Sequence, residues 1–390
     1  MTILKDELMT QNSSKIVPKV AVVHEWLSTY AGSEKVTETI IKLFNSCKVY
    51  ATVEFLTHKE RNLILGDKKA QTTFIQHLPF SRKYFRYYLP FFPFAIRQHK
   101  LNDAELIISS SHAFAHGVKK RKGQIHVSYS HTPMRYIWDM QDLYLKANNM
   151  DKGLIAVASK TLAKFLRKWD AKVSKDVDYY ISNSQFTANR IKNCYGRTAK
   201  VIYPPVSIED FESISDKSDY YLTASRFVSY KKVELVVEAF TKMPNKKLIV
   251  IGDGKQKSLI EKLATPNITI FSHLEFEIFH EYLRKAKAFV FAGEEDFGIT
   301  MVEAQACGTP VIAYHKGGAA EIVKNGETGL LFKEQSIDSI KNAVLRFENE
   351  FNNKMDSDLI RKNAERFSTE VFKNELSKHI IDCTSGQVQG

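Results

Sequence analysis

The sequence predicts two doubly wound α/β domains in tandem, each a parallel sheet covered on both faces by helices. Three observations carry this expectation. Short β-rich apolar runs alternate with longer amphipathic segments, the pattern of a parallel sheet with crossover helices. The runs fall into two series separated by a polar, proline-containing stretch. The residues capable of chemistry trail the runs, where open α/β sheets bind their ligands. At 390 residues the chain is too long for one ordinary core and suits two domains of roughly 150–200 residues.

The first series is KVAVVHEW (19–26), LIISSSHAF (106–114), HVSYSHTP (126–133), YYISNS (179–184) and KVIYPP (200–205). The second is YYLTASRF (220–227), KLIVIGDG (247–254), NITIFSHL (267–274), AFVFAGEEDFG (288–298) and PVIAYHKGG (310–318). Helical patterns lie between them, among them SEKVTETIIKLF (33–44), SQFTANRIKNCYG (184–196) and VELVVEAFTKM (233–243). Pro204-Pro205 stops the last run of the first series, and the stretch after it lacks apolar periodicity. The expected organisation is an N-terminal domain over 1–210, a second domain over 218–365, and a segment over 366–390. Within that last segment, 367–383 reads as a helix packing back on the first domain.

With 44% hydrophobic and 26% charged residues the chain falls among soluble folded proteins, outside the collagenous and disordered classes. No apolar run reaches the roughly 18–20 residues that cross a bilayer, and MTILKDELMTQNSSK has no apolar core of a leader. Cys47, Cys194, Cys307 and Cys383 lie far apart with no CxxC pair. Neither zinc nor a disulfide framework is expected, and a reducing cytoplasm fits. Charge is unevenly shared. Residues 1–217 hold 33 Lys/Arg against 20 Asp/Glu, whereas residues 218–390 hold 23 against 24. A basic half joined to a neutral one points to a surface that meets a polyanion, either nucleic acid or an anionic membrane.

The strongest local signal is Glu295-Asp296-Phe297-Gly298-Ile299-Thr300-Met301-Val302-Glu303, which leaves a buried run and enters a helix near Ile299. Amides at such a helix start form a site for a pyrophosphate, and Glu295 and Glu303 can accept hydrogen bonds from sugar hydroxyls. Acidic capping of an ordinary βα unit would use the same residue types. Arg226 and Lys231 follow another run; Arg offers a bidentate clamp and Lys a point charge for a diphosphate, although a solvated loop charge reads the same way. Gly32 precedes the first helix and lets backbone approach a phosphate. Gly252-Asp253-Gly254 suits a turn as well as a ligand. His131, in HTPMRYIWD, follows a strand, and Arg135 and Asp139 could orient it or meet substrate.

Together these segments resemble the retaining glycosyltransferases of family 4, which have the GT-B fold of two Rossmann-like domains facing across a cleft. The resemblance covers roughly 19–380 and is most similar to bacterial mannosyltransferases that build O-antigen, capsule or exopolysaccharide. It is carried by HEWLSTYAGSEKV (24–36), YSHTPMRYIWD (129–139), SNSQFTANRI (182–191), VIYPPV (201–206), SRFVSYKKVELVVEAF (225–240), EEDFGITMVEAQACGTPVIAY (294–314) and GGAAEIVKNGETGLLF (317–332). It implies that Glu303 binds the donor ribose, and that Glu295 with the Phe297, Gly298 and Ile299 backbone holds the transferred sugar. It implies also that Arg226 and Lys231 neutralise the departing diphosphate, that Gly32 approaches it, and that His131 sits beside sugar and acceptor; Gly252, which trails its own run, is counted with the donor-binding residues. The opening loop reads Ala31-Gly32 where the family usually has Gly-Gly. The implied donor is GDP-mannose, or alternatively a UDP-sugar. The implied acceptor is a polyprenyl-diphosphate-linked oligosaccharide. No DxD-type pair is evident, so no metal is expected.

Residues 80–100 mix eight aromatics with five Lys/Arg, among them Arg82, Lys83 and Arg86. Lys119, Lys120, Arg121 and Lys122 form a basic run, and Lys160, Lys164, Arg167, Lys168, Lys172 and Lys175 recur at near-helical spacing. Aromatics flanked by cations suit a protein lying on the inner face of the cell membrane, and Arg135 is grouped with these acceptor-side residues. The aromatics could equally be core and the lysines a solvated helix face. Single-stranded nucleic acid also fits basic charge with interleaved aromatics, but no RNA-recognition, KH, zinc-finger or helix-turn-helix signature is present and no nucleic-acid partner is expected.

Overall fold

A computed structural model describes residues 18–351 and 354–386; the first fifteen residues, read above for a leader, lie outside them. The chain divides into two compact units. One takes in residues up to Asn183, Thr187–Pro205 and the chain from Phe372 onward; the other comprises Ser184–Phe186 and Val206–Val371.

In the first unit, seven parallel strands run in the order β3-β2-β1-β4-β5-β6-β7. They are β1 Val20–His24, β2 Lys48–Ala51, β3 Ala70–Gln71, β4 Leu106–Ser111, β5 Ile125–Ser130, β6 Tyr179–Ser182 and β7 Ala199–Val201. The order reverses between β1 and β4, where Val20 pairs with Leu106 and His24 with Ser110. β1 is apolar throughout because both its faces are covered. Val20 and Val22 enter a core with Val36 and Ile40 of helix α1 (Gly32–Leu43), whereas Ala21 and Val23 meet Phe85, Phe92, Phe114 and Leu166 on the other side. Leu166 belongs to α2 (Gly153–Val173), whose buried residues Ala156, Ala163, Leu166, Asp170 and Val173 line one face at helical spacing.

The second unit has six parallel strands in the order β10-β9-β8-β11-β12-β13. These are β8 Tyr221–Ala224, β9 Leu248–Ile251, β10 Ile268–Phe271, β11 Ala288–Phe291, β12 Val311–Tyr314 and β13 Gly329–Phe332. The order reverses between β8 and β11. Helices α3 (Val233–Thr241) and α4 (Ile299–Ala306) follow those two strands.

The last helix, α5 (Thr369–Ser385), starts in the second unit's stretch of chain. Its Phe372, Leu376, Ile380 and Cys383 nevertheless lie in the first unit's core. The Phe372 ring stands 5.8 Å from that of Tyr129, whose hydroxyl donates to the Ile202 carbonyl at 2.9 Å. Among the described residues no helix is long and apolar enough to cross a membrane.

Removing a fully buried aromatic leaves a cavity as well as losing transfer energy. Phe372→Ala is expected to destabilise the first unit by about 3–5 kcal/mol in urea unfolding. An unchanged midpoint would show that α5 contributes nothing to that core.

Candidate active site

In the second unit the loops after β8 and β11 meet where the strand order reverses. The β8 loop carries Arg226 and Lys231; the β11 loop carries Glu294 to Gly298. Lys231 Nζ forms an ion pair with Glu295 Oε1, and both side chains are largely buried. Arg226 is exposed, with Nη2 donating to the Tyr230 hydroxyl at 3.2 Å. Glu294 pairs with Lys316 at 2.9 Å. Helix α4 begins at Ile299, and the Met301 amide donates to the Gly298 carbonyl at 3.0 Å. The amides of Ile299 and Thr300 thus belong to the first turn, whose donors a helix cannot satisfy within itself. Glu303, two residues beyond Met301, is buried on α4.

Two glycines hold these loops in place. Gly252 has φ +152°, and a Cβ there would stand 1.9 Å from the Ser225 carbonyl oxygen. That vacancy lets the Arg226 loop lie on the β9 turn, where the Phe227 amide donates to the Asp253 carbonyl at 2.8 Å. Gly252 therefore positions the Arg226 loop through its own missing side chain. A Cβ on Gly318 would stand 1.9 Å from the Phe297 carbonyl oxygen, and the Gly318 amide donates to the Glu295 carbonyl at 2.9 Å. The GG of the HKGG run is thus a floor beneath the Glu295–Phe297 loop. Phe297 itself is buried, its ring 5.3 Å from Phe367.

The first unit builds a second polar cluster at its own reversal, between β1 and β4. Glu25, fully buried, accepts from the amides of His112 (2.8 Å), Ala113 (2.8 Å), Phe114 (2.7 Å) and Ala115 (2.9 Å), and from the Ser111 hydroxyl (2.9 Å). Burial would raise this carboxyl, but the adjoining His112 and the amides outweigh it and hold it below the usual range. His131 follows β5, with Nε2 2.9 Å from Ser110 Oγ. Burial pushes its ring well below the ordinary histidine range, and His112 and His24 add to the shift, so it is neutral near pH 7. Gly32 opens α1, where the Glu34 carboxylate accepts from the Ala31 amide at 3.2 Å. Arg135 is buried with Nη1 3.8 Å from Met140 Sδ, and Asp139 pairs with Arg190 at 2.6 Å, not with His131. Trp138 Nε1 donates to the buried Asp170 of α2 at 2.7 Å, and Arg167 Nε to the Ile137 carbonyl at 2.9 Å. α2 therefore braces the loop that begins at His131. Ser110 and Glu34 were not among the residues expected from the sequence; a serine triplet inside an apolar strand run was the available signal for the first.

The aromatic-basic segment divides between core and solvent. Phe85 and Phe92 are buried, whereas Phe80 and Tyr87 are each 81% exposed and Tyr84, Phe91 and Phe94 are exposed beside Arg82 and Lys83. Arg86 lies over the Phe85 ring at 4.6 Å and near the Trp26 ring at 5.7 Å. The outer face of α2 carries a second apolar stripe that the lysine spacing concealed: Leu154 (88% exposed), Ile155, Val157 and Phe165. Lys119, Lys120, Arg121 and Lys122 precede β5 and so occupy the edge of the sheet opposite His131. The six residues of β5 separate them, roughly 20 Å of strand. Lys120 is paired there with Asp178 at 2.5 Å.

Comparison with known proteins agrees with this architecture. The glycosyltransferase family 4 profile matches residues 15–210, and the profile for glycosyl transferases group 1 matches residues 207–366. An uncharacterized glycosyltransferase of Methanocaldococcus jannaschii is 32% identical over 178 residues, 44% of this chain and 50% of the relative. The GDP-mannose-dependent monoacylated alpha-(1-6)-phosphatidylinositol monomannoside mannosyltransferase of Corynebacterium glutamicum is 27% identical over 205 residues, 45% of this chain and 54% of the relative. The chain thus spans about half the length of these relatives. The crystal structure of Anabaena HepE in complex with UDP superposes with a TM-score of 0.68 at 15% identity, covering 93% of this chain and all of the other. The chain belongs to glycosyltransferase family 4, and its two parallel-sheet units are those of the GT-B fold.

Glu34 is buried against His24. Burial would raise its carboxyl, but the hydrogen bond from His24 prevails and brings it from 4.5 to about 2. A carboxylate depressed in the folded state gives stability that is present above pH 4.5 and is lost as pH falls toward 2. Urea unfolding of wild type should lose up to about 3 kcal/mol across that window, and Glu34→Gln should flatten the loss. Parallel curves for the two proteins would contradict the pairing.

Proposed function

We propose that the protein is a retaining glycosyltransferase that moves a sugar from a nucleotide sugar to a lipid-linked oligosaccharide in bacterial surface polysaccharide synthesis. Mannose from GDP-mannose is the donor we favour. The observation that carries the reading is the convergence of Lys231, Glu295 and the α4 start at one strand-order reversal. Such a reversal opens a crevice for a ligand at the carboxyl ends of the strands. The Corynebacterium relative named for GDP-mannose and a lipid acceptor supports the finer donor and acceptor assignment. HepE, solved with UDP, favours a UDP-sugar as the second reading.

In this reading the bond between the sugar and the diphosphate breaks with charge building on the leaving phosphate and an oxocarbenium-like centre on the sugar. Lys231, Arg226 and the amides of Gly298, Ile299 and Thr300 supply fixed positive charge and dipoles to that phosphate, which is usually the largest contribution in such sites. In the free protein Glu295 neutralises Lys231. A diphosphate takes the ammonium and releases the Glu295 carboxylate to the sugar hydroxyls, while Glu303 meets the ribose. The acceptor attacks the face from which the diphosphate leaves, and His131 is the residue of the first unit that we assign to the acceptor sugar. These cations act without a metal, so EDTA leaves turnover unchanged. Lys231→Ala and Arg226→Ala should each lower kcat/KM by roughly 10²–10³ in a nucleoside-diphosphate release assay with GDP-mannose. Wild-type turnover in either variant would remove the assignment.

The enzyme lies peripherally on the inner face of the cell membrane. Phe80, Tyr87 and Phe94 with Arg82 and Lys83, together with the apolar stripe of α2 and its Lys160, Lys164 and Lys168, meet anionic lipid. Both elements cover the same side of the first sheet, through Phe85 and Phe92 in one and Leu166 in the other. Each basic residue near an anionic surface contributes about 1 kcal/mol. The protein should float with phosphatidylglycerol vesicles at low salt and dissociate at high salt, and Phe80→Ser with Leu154→Ser should weaken binding. Flotation that is absent, or insensitive to both changes, would contradict lipid docking.

A further inference from the structure

β4 ends in three buried serines, and each hydroxyl has a different partner. Ser109 Oγ lies 2.8 Å from His126 Nε2, Ser111 donates to Glu25, and Ser110, on the opposite face of the strand, joins His131 at 2.9 Å. A buried hydroxyl is costly unless paired, so three consecutive serines at this depth place donors rather than fill a core. Ser110 is also 3.1 Å from His24 Nδ1 and 2.9 Å from Thr37 Oγ1. On the far side of the His24 ring, Nε2 faces Glu34 Oε1 at 3.4 Å. An unbroken line of polar contacts therefore runs from Glu34 through His24 and Ser110 to His131, all within the first unit.

The hydrogens can be assigned along this line. Facing a carboxylate, His24 Nε2 keeps its hydrogen. With that hydrogen on Nε2, the ring accepts at Nδ1, where the nearest oxygens belong to Thr37 (3.0 Å), Ser110 Oγ (3.1 Å) and the Ser110 carbonyl (3.2 Å). The carbonyl has no hydrogen to give. Thr37 has the Ser33 carbonyl at 3.0 Å for its own hydrogen, which leaves Ser110 as the donor to His24. Having given its hydrogen inward, Ser110 Oγ accepts from His131.

We propose that Glu34, His24 and Ser110 form a positioning relay that holds His131 as the Nε2–H tautomer, leaving Nδ1 as its hydrogen-bond acceptor. That this acceptor serves glycosyl transfer rests on the role of His131 given above; the relay itself does not. Ser110 and His24 act only through His131.

Long-range proton–nitrogen spectra of the full chain labelled with ¹⁵N-histidine test the relay without substrate. Wild-type His131 is expected as Nε2–H across pH 6–8. Ser110→Ala should give a mixture with the Nδ1–H form, and Ser110→Thr, which keeps the hydroxyl, should restore the single tautomer. A wild-type His131 found as Nδ1–H or as imidazolium overturns the proposal even if no variant folds, and so does an unchanged tautomer in Ser110→Ala. In the transfer assay, Ser110→Ala should lower kcat roughly 10–100-fold with donor KM little changed. A shifted tautomer with wild-type kcat would keep the relay and remove His131 from the reaction.

Discussion

The ion pair between Lys231 and Glu295 is the contact on which the second unit's site depends. It joins the loops that leave β8 and β11, the two strands between which the sheet order reverses. A lysine and a glutamate so far removed from water need each other, because either charge left alone would carry a large desolvation cost. Neither loop can therefore move far without the other. Gly252 and Gly318 remove the side chains that would block this approach, each with a carbonyl oxygen 1.9 Å from where its Cβ would lie. The pair thus stores a positive group and a carboxylate at one point, each able to exchange its partner for part of a ligand.

The first unit reaches a comparable result with hydrogen bonds. Its reversal between β1 and β4 places Glu25 under four backbone amides and aligns Glu34, His24, Ser110 and His131. Burying so much polar surface beside two apolar cores would destabilise the fold if any link were missing, so the cluster is either fully connected or a liability. The stretch that follows is fixed by α2 through Asp170 and Arg167. α2 thereby has two faces with different tasks, one bracing the His131 loop and the other exposing Leu154, Ile155, Val157 and Phe165.

Much of this architecture was legible in the sequence because the strands of a doubly covered sheet read as apolar runs. VAVV, LIVI and FVFA were plain, and the residues trailing them did fall at the strand ends. The strands β2 (KVYA), β3 (AQ) and β13 (GLLF) were not picked out, since KVYA and AQ are interrupted by polar residues and GLLF sits directly behind the turn residues NGET. Lys231 and Glu295 were legible as separate charges but not as a pair, because 64 positions of chain separate them and only the reversal of strand order brings them together. The segment 80–100 was ambiguous for a similar reason. Its spacing does not reveal that Phe85 and Phe92 turn inward while Phe80 and Tyr87 turn out, because short helical turns replace one continuous helix there.

The most direct test is a crystal structure of the protein with GDP bound. Lys231 is expected to leave Glu295 and donate to a β-phosphate oxygen, with the amides of Ile299 and Thr300 directed at the same diphosphate. A nucleotide bound elsewhere, with the Lys231–Glu295 pair intact, would contradict the exchange of partners at this site.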